Sequence, residues 1–89
     1  GEKVWELPLW DEYCEQVESN IADVKNIGAP MQAGTIAGAA FLKEFVGENI
    51  PWVHFDIAGT AWGGKELPYT QKNSATGAVI RLVLNLLGM

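Results

Sequence analysis

A three-layer α/β/α arrangement built on a largely parallel sheet is the fold class this chain of 89 residues predicts. Two observations carry the expectation. Segments with helical spacing of apolar residues alternate with short β-type runs, in the order strand, helix, strand, helix, strand, helix, and such alternation implies right-handed crossovers. The run Trp52-Val53-His54-Phe55-Asp56-Ile57 also reads as a buried strand that ends in small residues, Ala58, Gly59 and Ala61, as where a helix, a turn or a ligand must approach the backbone.

Residues 3–9, KVWELPL, form a weak strand or extended lead-in, which Pro8 confines to an edge or ends. Trp10, Tyr13, Cys14 and Val17 fall at i, i+3, i+4 and i+7 with acids and Gln16 between them, which predicts an amphipathic helix of about ten residues. Residues 21–26, IADVKN, predict a short second strand that stops at Ile27-Gly28-Ala29-Pro30. A second helix is expected from about Ala33 to Val46, with Ile36, Ala37, Ala40, Phe41 and Phe45 as its apolar stripe and Gly47 as its stop. Gly34 and Gly38 leave one face of it bare, able to lie against a sheet. No lysine follows them as a phosphate loop requires, so that reading is rejected.

The third strand, 52–57, leads into a long connection, 58–74, and a last helix from Asn73-Ser74 to Leu87. Connections of that length are uncommon in compact domains unless they serve a function. This one leaves the carboxyl end of a parallel strand, where open α/β sheets place ligands, and the turn from Ile27 to Gln32 lies at the same end.

The last helix limits what the chain can be alone. Val79, Ile80, Leu82, Val83, Leu84, Leu86 and Leu87 cover nearly its whole circumference, leaving Arg81 and Asn85 as a thin polar stripe. A helix apolar all round belongs in an interior. Burying each large side chain is worth about 1.5–3 kcal/mol, and three short strands with two helices cannot wrap it. With Gly1 rather than Met at its start, the chain is expected to be a piece of a larger domain or to assemble with other chains.

At 48% hydrophobic and 19% charged residues the composition is globular. A net charge of −5 argues against nucleic acid or an anionic membrane as partner. Six of the eleven acids lie in the first eighteen residues, and a solvated helix face is the plainer account of them. Cys14 is alone, so neither an internal disulfide nor a cysteine metal site is available, which fits a reducing, cytoplasmic setting. The apolar run from Ala78 to Leu87 is interrupted by Arg81 and Asn85 and is too short to cross a bilayer.

No catalytic constellation follows from spacing. His54 and Asp56, two apart on a strand with Trp52, could reach one metal ion, but two donors do not make a site; a sheet-face histidine and an aspartate capping the next turn account for them. Ser19 and Ser74 lack a glycine-flanked elbow, and Cys14 sits on an apolar stripe as filler. Trp5, Trp10, Trp52 and Trp62 are expected in core and interfaces.

The stretches GEKVWELPLWDEY (1–13), IADVKNIG (21–28), AGTIAGAAFLKEFV (33–46), PWVHFDIAGTAW (51–62) and LPY…ATGAVIRLVLNLL (67–87) together resemble the C-terminal end of the leucyl aminopeptidase (cytosol aminopeptidase) family, over essentially residues 1–89. The resemblance implies a cytoplasmic homohexameric enzyme with two divalent metal ions, zinc or manganese, that removes N-terminal residues such as leucine from peptides. The family's metal ligands and its catalytic lysine and arginine belong to segments such as NTDAEGR that this chain lacks, so no catalytic or metal residue is carried over. Pocket wall is: Ala58 and Ala61 match positions lining the pocket for the substrate's N-terminal side chain, and Ile27 one beside the following side chain. Ala61 stands where members vary in size. Ala29-Pro30-Met31-Gln32 replaces a segment that often carries glycine and arginine, so the shape near Ile27 is not carried over. The expectation is a portion of a catalytic domain that contacts peptide, without nucleic-acid or membrane partners, and is inactive alone. The rival is a stand-alone, non-catalytic binding or assembly module.

Overall fold

The computed structural model describes residues 1–62, 68 and 72–89; the connection's residues 63–67 and 69–71, which include Leu67 and Tyr69 of the LPY motif, lie outside the described residues. The chain divides into two compact units. Unit 1 is Gly1–Trp5 with Phe55–Met89, and unit 2 is Glu6–His54. Among the described residues the regular elements are helices: α1 (Asp11–Glu15) and α2 (Gly34–Lys43) in unit 2, α3 (Ala58–Ala61) and α4 (Ile80–Leu86) in unit 1.

In unit 2, α1 begins with Asp11 and Glu12 in its first turn, where carboxylates suit the positive end of the helix dipole. It is half the expected length. Past Glu15 the backbone tightens: the N–H groups of Gln16, Val17 and Glu18 donate three residues back, to Tyr13, Cys14 and Glu15, at 3.1–3.2 Å. The apolar stripe nonetheless turns inward, with Val17 1% exposed and Tyr13 and Cys14 half-buried. Trp10 stays open, its ring 6.0 Å from that of Tyr13.

Residues 21–26 form bends rather than a paired strand, and the local chemistry explains it. The Ser19 hydroxyl oxygen accepts the N–H groups of Ile21 (3.3 Å) and Ala22 (3.1 Å), donors that a ladder would need. Lys25 then donates to the Val17 carbonyl at 2.8 Å and ties the segment back to the end of the first helical region. No strand pairing occurs among the described residues; a ladder needs a neighbour for every N–H and C=O, and segments 21–26 and 52–57 find none here.

Helix α2 packs against α1 and buries Ile36, Ala37 and Ala40. It stops three residues before Val46 because Glu44, Phe45 and Val46 again donate three residues back. Phe41 and Phe45 meet edge to face with centroids 5.1 Å apart. Beyond Gly47, Trp52 and His54 stack with rings 6.2 Å apart and 21° between planes. Of the four tryptophans, Trp5, Trp10 and Trp62 are open to solvent and Trp52 is half-buried.

Unit 1 is held by an interaction the sequence does not announce. Helix α4 starts at Ile80, later than expected, after Gly77 and Val79 in the left-handed region (φ +65° and 72°). For a β-branched residue such a conformation costs about 1–3 kcal/mol, and valine has no side-chain acceptor to cap a helix. Glu2 supplies one from the other end of the sequence. Its Oε1 accepts the Val79 N–H at 2.7 Å and its Oε2 the Leu82 N–H at 2.8 Å, while Arg81 lies 3.7 Å away. The rest of α4 is thinly covered: Ile80, Leu86 and Leu87 are more than half exposed.

The Leu82 N–H, more than any other group, holds the Glu2 carboxyl below its ordinary value of 4.5; the Val79 N–H and the Arg81 charge act the same way against desolvation. A carboxyl lowered by folding stabilises fully above its unfolded-state value, and the contribution is lost as pH falls through the folded-state value. Hydrogen-exchange protection of the Val79 and Leu82 amides is therefore expected to hold from neutral pH down to about 4.5 and to fall on further acidification. Glu2→Gln should abolish that acid-dependent step, and an unchanged step in the variant would contradict the assignment. In unit 2, Ala40 is 0% exposed, so Ala40→Leu overpacks the core and should cost about 1–3 kcal/mol in denaturant titration. Ile21→Ala, at a site 98% exposed, should stay within about 0.5 kcal/mol.

Candidate functional site

The turn from Asn26 to Gly34 carries Ile27 and is shaped by three features of unit 2. Gly28 sits in contact with α2: a Cβ there would lie 2.9 Å from the Ala37 Cβ and 3.1 Å from Gln16 Oε1. Gln32 donates to the Ala29 carbonyl at 3.3 Å, closing a turn with Pro30 second and Met31 third. Met31 has φ 61°, the conformation a type II turn demands at that place, although it lacks the freedom of the glycine usually found there. Ala33, also left-handed at φ 39°, leads into α2 without a side-chain cap.

Together these residues border a concavity of about 490 Å³, lined by Ile27, Gly28, Pro30, Met31, Gly34 and Gly38 among others. Ile27 stands at its rim, 75% exposed. A Cβ on Gly34 or Gly38 would meet nothing within 4 Å, so the bare face of α2 is open space rather than a contact surface among the described residues.

Ala58 and Ala61 are brought together by α3, a single turn within the stretch expected to be irregular connection. Asp56 Oδ1 accepts the Ala58 N–H at 3.4 Å, the capping role expected of this carboxylate. Thr60 and Ala61 donate their N–H groups to the Ile57 carbonyl at 2.9 and 2.7 Å, and Thr60 Oγ1 adds a bond to the same oxygen at 3.1 Å. Ala58 is exposed and Ala61 half-buried. Gly59 again has no neighbour that a Cβ would strike. The small residues of this stretch thus leave room on the outside of α3. Ile27 belongs to unit 2, and Ala58 and Ala61 to unit 1.

A second hollow in unit 2, about 460 Å³, is bordered by the carboxylates of Asp11, Glu15, Glu18, Asp23 and Glu44 together with Cys14. These acids are solvent-exposed, as a solvated face requires; of the six near the start, Glu2 is the one committed to backbone N–H groups. Among the described residues no three His, Cys, Asp or Glu side chains come together as a metal site, and no helix is long and apolar enough to cross a membrane.

The sequence model of the cytosol aminopeptidase family, catalytic domain, matches residues 1–84. The chain belongs to that family. Cytosol aminopeptidases are peptidases, hydrolases by reaction class, and the curated relatives carry the name directly. A probable cytosol aminopeptidase of Geobacter sp. strain M21 is 55% identical over 87 residues, covering 98% of this chain. Those of Roseiflexus castenholzii and Bdellovibrio bacteriovorus are 52% and 48% identical over 87 residues, 98% and 97% of this chain. In each case the chain spans 17% of the length of the relative. No solved structure gave a significant match.

Against this cytosol aminopeptidase background, two residues stand out that pattern reading passed over. Gly28 reads in the sequence as punctuation, and only the proximity of Ala37 and Gln16 reveals why a side chain is excluded there. Glu2 reads as one of six acids, and a signal for its role exists only in the absence of a capping residue before Ile80.

Proposed function

We propose that this chain is the C-terminal part of a dinuclear-metal leucyl aminopeptidase, and that it contributes wall to the peptide pocket and core to the catalytic domain, but no chemistry of its own. The observation that carries this reading is the match of residues 1–84 to the catalytic domain of a peptidase family while the chain spans 17% of its relatives' length. The open apolar face of α4 supports it, since Ile80, Leu86 and Leu87 gain from burial against further polypeptide. In this reading segments 21–26 and 52–57 are strands of a parallel sheet in an α/β/α domain, completed by partner strands elsewhere in a longer protein.

Ile27, Ala58 and Ala61 are then apolar surface that excludes water from the substrate's side chains and limits their size. Ala58 and Ala61 border the side chain of the residue being removed, and Ile27 the side chain that follows. The full-length protein is proposed to use two divalent metal ions, zinc or manganese, as a cytoplasmic homohexamer acting on peptides. Among the described residues no cluster of three suitable donors forms, and the ions are proposed to be held by other parts of the protein.

Two measurements test this. The 89-residue chain, supplied with zinc or manganese, should not hydrolyse leucine amide. The Geobacter sp. strain M21 relative carrying this chain in place of its matching 87 residues should do so. Clear turnover by the chain alone overturns the reading. In the chimera, Ala61→Leu should lower kcat/KM for leucyl relative to alanyl substrates by roughly tenfold or more, because a pocket narrowed by three carbons rejects the larger side chain. Equal losses on both substrates would remove Ala61 from the pocket.

A further inference from the structure

Ile27 cannot set its own position: it is 75% exposed at the rim of the concavity, and little packs on it. Its neighbour Gly28 can. The bare Cα of Gly28 is seated on Ala37, a core residue of α2 only 2% exposed, and on the Gln16 side chain just past α1. A methyl group at residue 28 would come within 2.9 Å of the Ala37 Cβ, where ordinary contact begins at 3.4 Å. Neither carbon is the far end of a flexible side chain, so the turn itself must lift off the helix by about half an ångström.

The second contact is softer, because it is made by the end of a flexible side chain that can give by a few tenths of an ångström. Gln16 Oε1 is buried and accepts no hydrogen bond among the described residues, yet it lies 3.1 Å from where that methyl would be. On the other side, Lys25 is tied to the Val17 carbonyl at 2.8 Å, which leaves Gly28 as the point where the turn is spaced from α2.

We propose that Gly28 is a positioning residue: the fit of its bare Cα against Ala37 and Gln16 sets how far the Ile27 turn stands over the concavity, and so which residue is accepted after the one removed. This rests on the reading of Ile27 as pocket wall. It assigns Gly28, Gln16 and Ala37 no contact with substrate; they act through Ile27.

The test uses the active chimera and two kinds of substrate. Leucine amide has no second side chain, whereas leucyl dipeptides with a small or a large second residue do. Gly28→Ala is expected to change the ratio of kcat/KM between the two dipeptides by about tenfold while leucine amide changes by less than about twofold. Gly28→Ala combined with Ala37→Gly moves the methyl from helix to turn and should restore the original ratio, a rescue that simple destabilisation would not give. Parallel losses on the amide and both dipeptides, or no restoration in the double variant, overturn the proposal. If Gly28→Ala does not fold, Gln16→Ala decides: by relieving the second contact it should shift the dipeptide ratio with the amide rate kept, and an unchanged ratio refutes the proposal. An unsubstituted chimera inactive on leucine amide would instead defeat the underlying aminopeptidase reading, a result distinct from all of these.

Discussion

Burial in the described residues is confined to four side chains of unit 2, Val17, Ile36, Ala37 and Ala40, and much of the remaining structure follows from how little apolar surface they remove from water. With two alanines among them, this core gains far less than a set of leucines and phenylalanines would. Elements that would ordinarily be held by packing are therefore held by backbone hydrogen bonds and close fits. The ends of α1 and α2 tighten into bonds three residues back, and Ser19 rather than a neighbouring strand takes the free N–H groups of Ile21 and Ala22. The large apolar side chains of α4 remain at the surface.

Two close fits then carry positions that bulk packing does not. At Gly28 the absence of a side chain lets the turn approach α2, and the shape of the neighbouring concavity depends on that approach. At Glu2 a charged acceptor replaces the missing cap of α4 and steadies Val79 in a conformation its branched side chain disfavours. Each is a single-residue device with no redundancy among the described residues, and each is specific in a way that a larger core would not need to be.

The sequence conveyed some of this and not the rest, for reasons that differ by element. Helix α2 was legible because Ile36, Ala37 and Ala40 recur at helical spacing over enough residues to outweigh local detail. The lengths of α1 and α4 were not, since a periodic stripe says which face is apolar but not where the backbone tightens or turns left-handed at Val79. The cap from Asp56 to Ala58 could be read from two adjacent positions, whereas Glu2 and Val79 stand seventy-seven residues apart and no local pattern links them. The strand-like composition of 21–26 and 52–57 reflects side-chain preference, and preference becomes a sheet only when partners supply the ladder. The proposal of Ile27, Ala58 and Ala61 as pocket wall rests on resemblance to the aminopeptidase family, because apolar surface has no chemical signature of its own.

The bond from Glu2 to the head of α4 also bears on the order in which the polypeptide takes shape. Unit 2 is one continuous stretch, Glu6–His54, and every bond described within it becomes available before the later residues emerge during synthesis. Unit 1 is interrupted by that whole stretch, so Glu2 must wait for Val79 and Leu82 before it can close. Through that interval the Glu2 carboxylate is held by water and the head of α4 has no acceptor. The loop joining them is long, and its entropy delays closure. Unit 2 can thus be ordered while the two segments of unit 1 are still unjoined.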